Sequence, residues 1–232
     1  MDSSTIVKTQ LIGQGVMNQF GFFLIASSSQ NIAISFDKKN LVGLTLMLAN
    51  ISGLFIIFWN AIFLIKYSPK TRIFINGIIQ AVGYALVGIG CFYSFYVVML
   101  GALIIGTGSA FGEISHYGYL KLFPTEYIGP FISGTGISGL AGSLLYLILH
   151  AYRVPDWLIF VFLVILALLY LTNFFTLNRV SETEYYFISS EKLKLTVSSS
   201  HLQDLESVNV SKDWSLLTKT IYANFCHLTF TF

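Results

Sequence analysis

Apolar residues in this chain neither alternate nor recur on a single helical face. They fill six long runs separated by short polar or proline-marked breaks. A helix needs about 20 mostly apolar residues to cross a hydrocarbon core. The runs therefore predict six spanning helices, over about Leu11–Ile34, Leu41–Ile65, Ile73–Phe92, Tyr96–Leu120, Gly129–Ala151 and Trp157–Leu177. A β-barrel is disfavoured, because its strands need only about ten residues and alternate in polarity. Asp37-Lys38-Lys39 closes the first run, and Lys66 with Ser68-Pro69 closes the second. Only Tyr93 to Phe95 separates the third from the fourth, which predicts a tight hairpin. All four prolines (Pro69, Pro124, Pro130 and Pro155) fall in breaks or at run ends, where a missing N–H costs a helix least. The first run is the most polar, with Asn18, Gln19 and the stretch Ser27-Ser28-Ser29-Gln30-Asn31.

Composition turns this pattern into an all-α membrane protein. The 232 residues are 55% hydrophobic and 10% charged, against about 25% charged in soluble domains, and mean hydropathy is +0.72. The lipid bilayer is the first partner the chain requires. A net charge of +2, scattered along the sequence, excludes a nucleic-acid surface. Cys91 and Cys226 form no disulfide framework and no metal spacing. No cofactor or metal is expected. An enzyme is not expected either, since paired aspartates and Ser/His sets are missing.

Lys and Arg set the orientation. Lys8, Lys66, Lys70, Arg72, Lys121, Arg179, Lys192 and Lys194 fall on one side, and Lys38, Lys39 and Arg153 on the other, which places both termini in the cytosol. The expected organisation is a cytosolic N-terminus over 1–10, read as leading into a retained span, and the six-span bundle over 11–177. A polar cytosolic loop or tail follows over 178–213, then a mildly apolar end over 214–232 that looks like the start of a second bundle. Tyr185-Tyr186-Phe187-Ile188 and Asp213-Trp214-Ser215-Leu216-Leu217 resemble short sorting signals on the cytosolic side.

Candidate chemistry concentrates in the fourth and fifth runs. Glu113 is the acidic residue inside an apolar run, where a carboxylate costs about 2.5–3.5 kcal/mol on insertion scales. It must face protein or water. It reads as a proton-coupling or substrate-facing group, or as a hydrogen-bond hub that fastens the fourth helix. His116, three residues on, shares its helical face and reads as a proton-relay partner or as a residue that only satisfies Glu113 or water. Gly108 with Gly112, Ser138 with Gly134 and Gly142, and Gly139 with Ser143 form small-xxx-small faces for close helix packing. Ser133-Gly134-Thr135-Gly136 weakens the fifth helix, so Gly134, Thr135 and Gly136 are candidates for local unwinding toward a substrate. Asn18 and Gln19 line the same cavity or bond a neighbouring helix.

Gly108-x-x-x-Gly112-Glu113, Phe123-Pro124 and the segment Ser133-Gly134-Thr135-Gly136 through Gly142-Ser143-Leu144-x-Tyr146 together resemble the signature of the battenin family. Asn18-x-Phe20 and Tyr67-Ser68-Pro69 fit the same pattern, and the resemblance covers about Gly13 to Leu177. It implies a lysosomal or vacuolar membrane protein distantly related to major-facilitator and equilibrative nucleoside transporters. The chain then corresponds to the N-terminal six-helix half of a two-bundle transporter, with a homodimer or a missing second half completing it. The implied roles are lumenal pH balance, handling of basic amino acids and export of small solutes such as glycerophosphodiesters, with protons as a second cargo. The alternative is a truncated, non-transporting scaffold or trafficking partner.

Overall fold

The structure, a computed structural model, describes residues 3–121 and 123–199, and beyond residue 180 it describes the backbone alone. Six long helices carry the fold: α1 Ser3–Ser35, α2 Val42–Ile62, α3 Pro69–Tyr93, α4 Phe95–Leu120, α5 Ile128–Ala151 and α6 Asp156–Ser199. Residues Met1–Phe187 form one compact unit and Ile188–Phe232 a second. The predicted all-helical bundle is thus observed, and the described residues include no strand. Five of the helices, α2 to α6, are long and apolar enough to cross a membrane. The first is long enough at 33 residues but more polar. Four of its polar side chains are enclosed: Gln14, Asn18, Ser28 and Ser29 are all buried.

Local chemistry sets the helix ends. Ser68 caps α3, its hydroxyl accepting from the Thr71 N–H at 3.2 Å with Pro69 in the first turn; proline fits there because its N–H would lack a helical partner anyway. Between α3 and α4 a single extended residue, Ser94 (φ −167°, ψ 137°), makes the predicted hairpin and caps α4 through the Tyr96 N–H. Asp37 and Arg153 adopt left-handed backbone, φ 59° and 57°, where α1 and α5 end. Each lets the following N–H return to the helix, Lys38 to Ala33 and Val154 to Leu149, in the manner of a Schellman closure. Backbone helix continues past the predicted end at Leu177 to Ser199, into the stretch expected to be a polar loop. The readings of 214–232 and of Asp213 to Leu217 lie outside the described residues, and so do the side chains of Tyr185 to Ile188.

Apolar side chains between helices gain little from leaving lipid, so close packing and buried polar bonds hold such bundles together. Glycines admit the closest approaches. A Cβ on Gly15 of α1 would come within 2.9 Å of the Thr135 nitrogen of α5. One on Gly90 of α3 would lie 2.7 Å from the Val98 nitrogen of α4. Large apolar side chains are exposed on the outer faces, among them Phe55 and Phe58 of α2, Leu140 and Leu147 of α5 and Phe162 of α6. Tyr93, Tyr96, Tyr152 and Phe92 are exposed at the α3–α4 and α5–α6 turns, and Phe92 packs on Trp157 with centroids 5.1 Å apart. That is the placement of an interfacial aromatic belt.

Two apolar clusters fill the interior. One gathers Leu24, Ile25, Tyr84, Phe95, Ile105 and Phe160; the other Leu11, Ile73, Tyr119, Phe131, Tyr170 and Phe174. Along α1, α3 and α4, the buried polar residues Asn18, Gln80 and Ser109 fall between members of the two clusters. The bundle therefore has a polar layer between two apolar ones, shared among α1, α3 and α4.

Candidate functional site

The polar layer has an inner and an outer face, and both begin on α1. On the inner face Asn18 is the hub. Its amide nitrogen donates to the Ser109 carbonyl of α4 at 3.0 Å. Its oxygen accepts from Asn76 and from Gln80 of α3, each at 3.0 Å. Asn76 also donates to the Tyr170 hydroxyl of α6 at 3.1 Å, and the Tyr84 hydroxyl donates to Gln80 at 3.3 Å. One turn earlier on α1, Gln14 donates to the Tyr170 carbonyl at 2.9 Å and faces the His116 ring at 3.2 Å. All these side chains are 0–1% exposed. Each bond crosses from one helix to another or ties a crossing residue in place, and in a low-dielectric interior such networks specify one packing; within it the buried Asn76 oxygen has no hydrogen-bond partner.

Glycine makes this possible. A Cβ at Gly112 would overlap the Asn18 oxygen and the Asn76 nitrogen. A Cβ at Gly108 would sit 3.1 Å from Gln80 and 3.3 Å from Ile79. The predicted packing pair Gly108 and Gly112 thus opens α4 to the polar side chains of α1 and α3. On α5, a Cβ at Gly139 would meet Phe23 at 3.3 Å, and one at Gly142 the Phe20 carbonyl at 3.2 Å. Ser138 is fully buried, and Ser143 accepts from Ser27 of α1 at 3.0 Å.

The outer face holds Glu113, which is half-buried. Gln19 of α1 donates to its Oε2 at 3.1 Å, and the Tyr117 hydroxyl donates to its Oε1 at 3.1 Å. The Ser109 hydroxyl donates to the Gln19 oxygen, so Gln19 is oriented from one side and presents its amide N–H to the carboxylate on the other. Glu113 lies two turns before the end of α4 at Leu120, about 10 Å at 1.5 Å per residue. It lies between the middle of the helix and its Lys121 end, slightly nearer the middle. A partly exposed carboxylate in a membrane helix, with Gln19 and Tyr117 among its partners, is a group that can exchange a proton.

The other sequence candidates divide. His116 is fully buried and turns toward Gln14 and the Gly112 carbonyl, while Glu113 turns toward Gln19 and Tyr117. The shared helical face does not give them shared partners here. The unwinding expected at Ser133 to Gly136 is not observed: α5 is unbroken from Ile128 to Ala151. Gly134 packs against Ile12 of α1, and a Cβ there would overlap the Ile12 carbonyl. The Thr135 hydroxyl bonds the Ile132 carbonyl of its own helix at 2.7 Å, and nothing lies within 4 Å of a Cβ at Gly136. Backbone groups released in lipid have no water to bond, so glycine alone does not open a helix there.

Sequence reading missed Gln14, Asn76, Gln80, Tyr84 and Tyr170. A signal existed: Gln14 and Asn18, and Asn76, Gln80 and Tyr84, recur at four-residue spacing on one face of an apolar helix. Arg72 was read only as surface charge. It is 6% exposed, donates to Asn60 at 3.1 Å and fits beside Gly118, where a Cβ would lie 2.6 Å from the guanidinium. A concavity of about 460 Å³, lined by apolar residues that include Phe20, Leu24, Leu149 and Phe162, opens elsewhere on the bundle. Its lining suits an acyl chain rather than a polar solute.

The CLN3 protein family matches residues 10–224 of this chain. Battenin of Dictyostelium discoideum is 28% identical over 162 residues, which cover 69% of this chain and 38% of the relative. Protein BTN1 of Candida glabrata is 28% identical over 213 residues, which cover 85% of this chain and 48% of the relative. The chain spans less than half the length of these curated relatives.

Proposed function

Because this chain belongs to the CLN3 protein family, we propose that it acts as a battenin-like transporter, or as the six-helix half of one, in a lysosomal or vacuolar membrane. Both termini are assigned to the cytosol by the Lys and Arg bias. The observation that carries the reading is Glu113: a half-buried carboxylate in a membrane helix, held by Gln19 and Tyr117. Ionisable groups in such positions mark solute and proton paths. A carboxylate selects for protons and for cationic groups, which fits basic amino acids; a solute such as a glycerophosphodiester would have to use its hydroxyls toward Gln19 and Ser109. Alternating access needs a second bundle facing the first, and a second copy of this chain or a separate second half would supply it.

The test is reconstitution of the full chain in liposomes, with uptake of radiolabelled lysine and of a glycerophosphodiester measured with and without an imposed pH gradient. The expected result is uptake of one of them that depends on the gradient and is lost in Glu113→Gln. Uptake no greater than in empty vesicles, for both solutes and for cross-linked dimers, would contradict transport and favour a non-transporting scaffold or trafficking partner.

A further inference from the structure

His116 is fully buried where α1, α4, α5 and α6 meet, and both of its ring nitrogens face oxygen atoms. Nδ1 lies 2.7 Å from the Gly112 carbonyl, one turn earlier on α4. Nε2 lies 3.2 Å from the side-chain oxygen of Gln14 on α1. The Gln14 amide is itself oriented, because its nitrogen donates to the Tyr170 carbonyl of α6 at 2.9 Å. Turning that amide over would set its oxygen against a carbonyl that can only accept.

A neutral imidazole has one N–H and one lone pair. It donates to one of the two oxygens and aims its lone pair at the other. If Gln14 turns over to donate to the ring, the conflict moves to the Tyr170 carbonyl. Each tautomer and each amide orientation leaves one acceptor against another. An imidazolium has two N–H groups and satisfies every contact at once. The ring also stacks on Phe131 of α5, with centroids 4.7 Å apart and planes 16° apart, and an aromatic face attracts a cation.

We propose that His116 is a proton-binding site whose occupancy fastens α4 to α1 and, through Gln14, to α6. Removal of the proton leaves one unmatched contact and loosens the junction. Burial opposes the charge while two acceptors and an aromatic face favour it, and these opposed forces make the ring a two-state element. Its surroundings contain few other ionisable groups. On α4 they are Glu113 and Tyr117, which bond each other. From α1 come Gln14 and Asn18, from α5 Phe131, from α6 the edge of Tyr170, and behind Tyr170 the Asn76 amide of α3. The site uses neither Gln19 nor the Glu113 carboxylate, so it stands or falls separately from solute movement.

Nitrogen NMR on the full chain in lipid nanodiscs, with ¹⁵N-labelled histidine, reads the ring directly. The chain has four histidines, and the resonance lost in His116→Gln assigns this one. On acidification from about pH 8 to about pH 4, against the opposition of burial, that resonance should pass from a singly to a doubly protonated ring. Gln14→Leu, or Gln14→Met if the first fails to fold, removes the acceptor at Nε2 and should move the midpoint toward acid by about one pH unit or more. Glu113→Gln should leave the doubly protonated form in place. A ring that stays neutral at about pH 4, one that stays charged at about pH 8, or a midpoint that ignores Gln14 overturns the proposal.

Discussion

Asn18 and Gln19 are neighbours in sequence and amides of nearly the same chemistry, yet they serve opposite faces of α1. Asn18 is 1% exposed and joins α3 and α4 through three side-chain hydrogen bonds made with Ser109, Asn76 and Gln80. Gln19 is half-buried and holds the carboxylate of Glu113. A helix turns each successive side chain by about 100°, which is enough to send one amide into the core and the next toward an open face. The inner face is fully enclosed, and most of its polar groups are bonded to one another, the Asn76 oxygen excepted. The outer face keeps a charge within reach. Polarity inside a membrane helix therefore does not by itself mark function; the proposal for Glu113 rests on partial exposure together with an ionisable group.

The sharpest way to break the inner face is Gly112→Val. Its side chain would overlap both Asn18 and Asn76. The expected loss is about 3 kcal/mol or more, from overpacking combined with buried polar groups left unpaired, seen as a collapse of folded yield in mild detergent. Asn18→Leu comes next. It leaves Asn76, Gln80 and the Ser109 carbonyl without their shared partner. It should cost about 2–3 kcal/mol, measured as lowered resistance to thermal unfolding in the same detergent.

Glu113→Gln keeps the shape and can still accept from Gln19 and Tyr117. Its stability should change by less than about 1 kcal/mol, so any loss of gradient-driven uptake reports on the charge. The smallest effect is expected at Gly136, where a Cβ meets nothing within 4 Å. Gly136→Ala should leave uptake unchanged and raise stability by up to about 1 kcal/mol, the helix-propensity difference. A fall in uptake there would revive the idea that α5 opens locally.

Much of the fold was written in the hydrophobic pattern. The Ser94 hairpin was legible because only three residues separate two long apolar runs. The ends at Ser68-Pro69 and Pro124 were legible because proline has few places to go in a helical membrane protein. The end of α6 was not, since a polar composition after Leu177 does not forbid a helix. Within the site, the close approach at Gly108 and Gly112 could be read from residue type and spacing. The partners could not. Gln80 and Asn76 are polar at a helical spacing, but which helix they face depends on how α3 crosses α1 and α4, and no local pattern encodes that. The unbroken helix at Ser133 to Gly136 has a related cause. Glycine weakens a helix in water, where freed backbone finds new partners, whereas packing against Ile12 and a surrounding lipid phase keep α5 closed.

The division between the two faces is tested most directly by one paired measurement: thermal stability and gradient-driven solute uptake of Asn18→Leu and Glu113→Gln, prepared side by side with the unaltered chain. Glu113→Gln should match the unaltered chain in stability and lose the uptake, while Asn18→Leu should lose stability first. A Glu113→Gln protein that is destabilised as much as Asn18→Leu, or that transports normally, would contradict the account and return Glu113 to the packing.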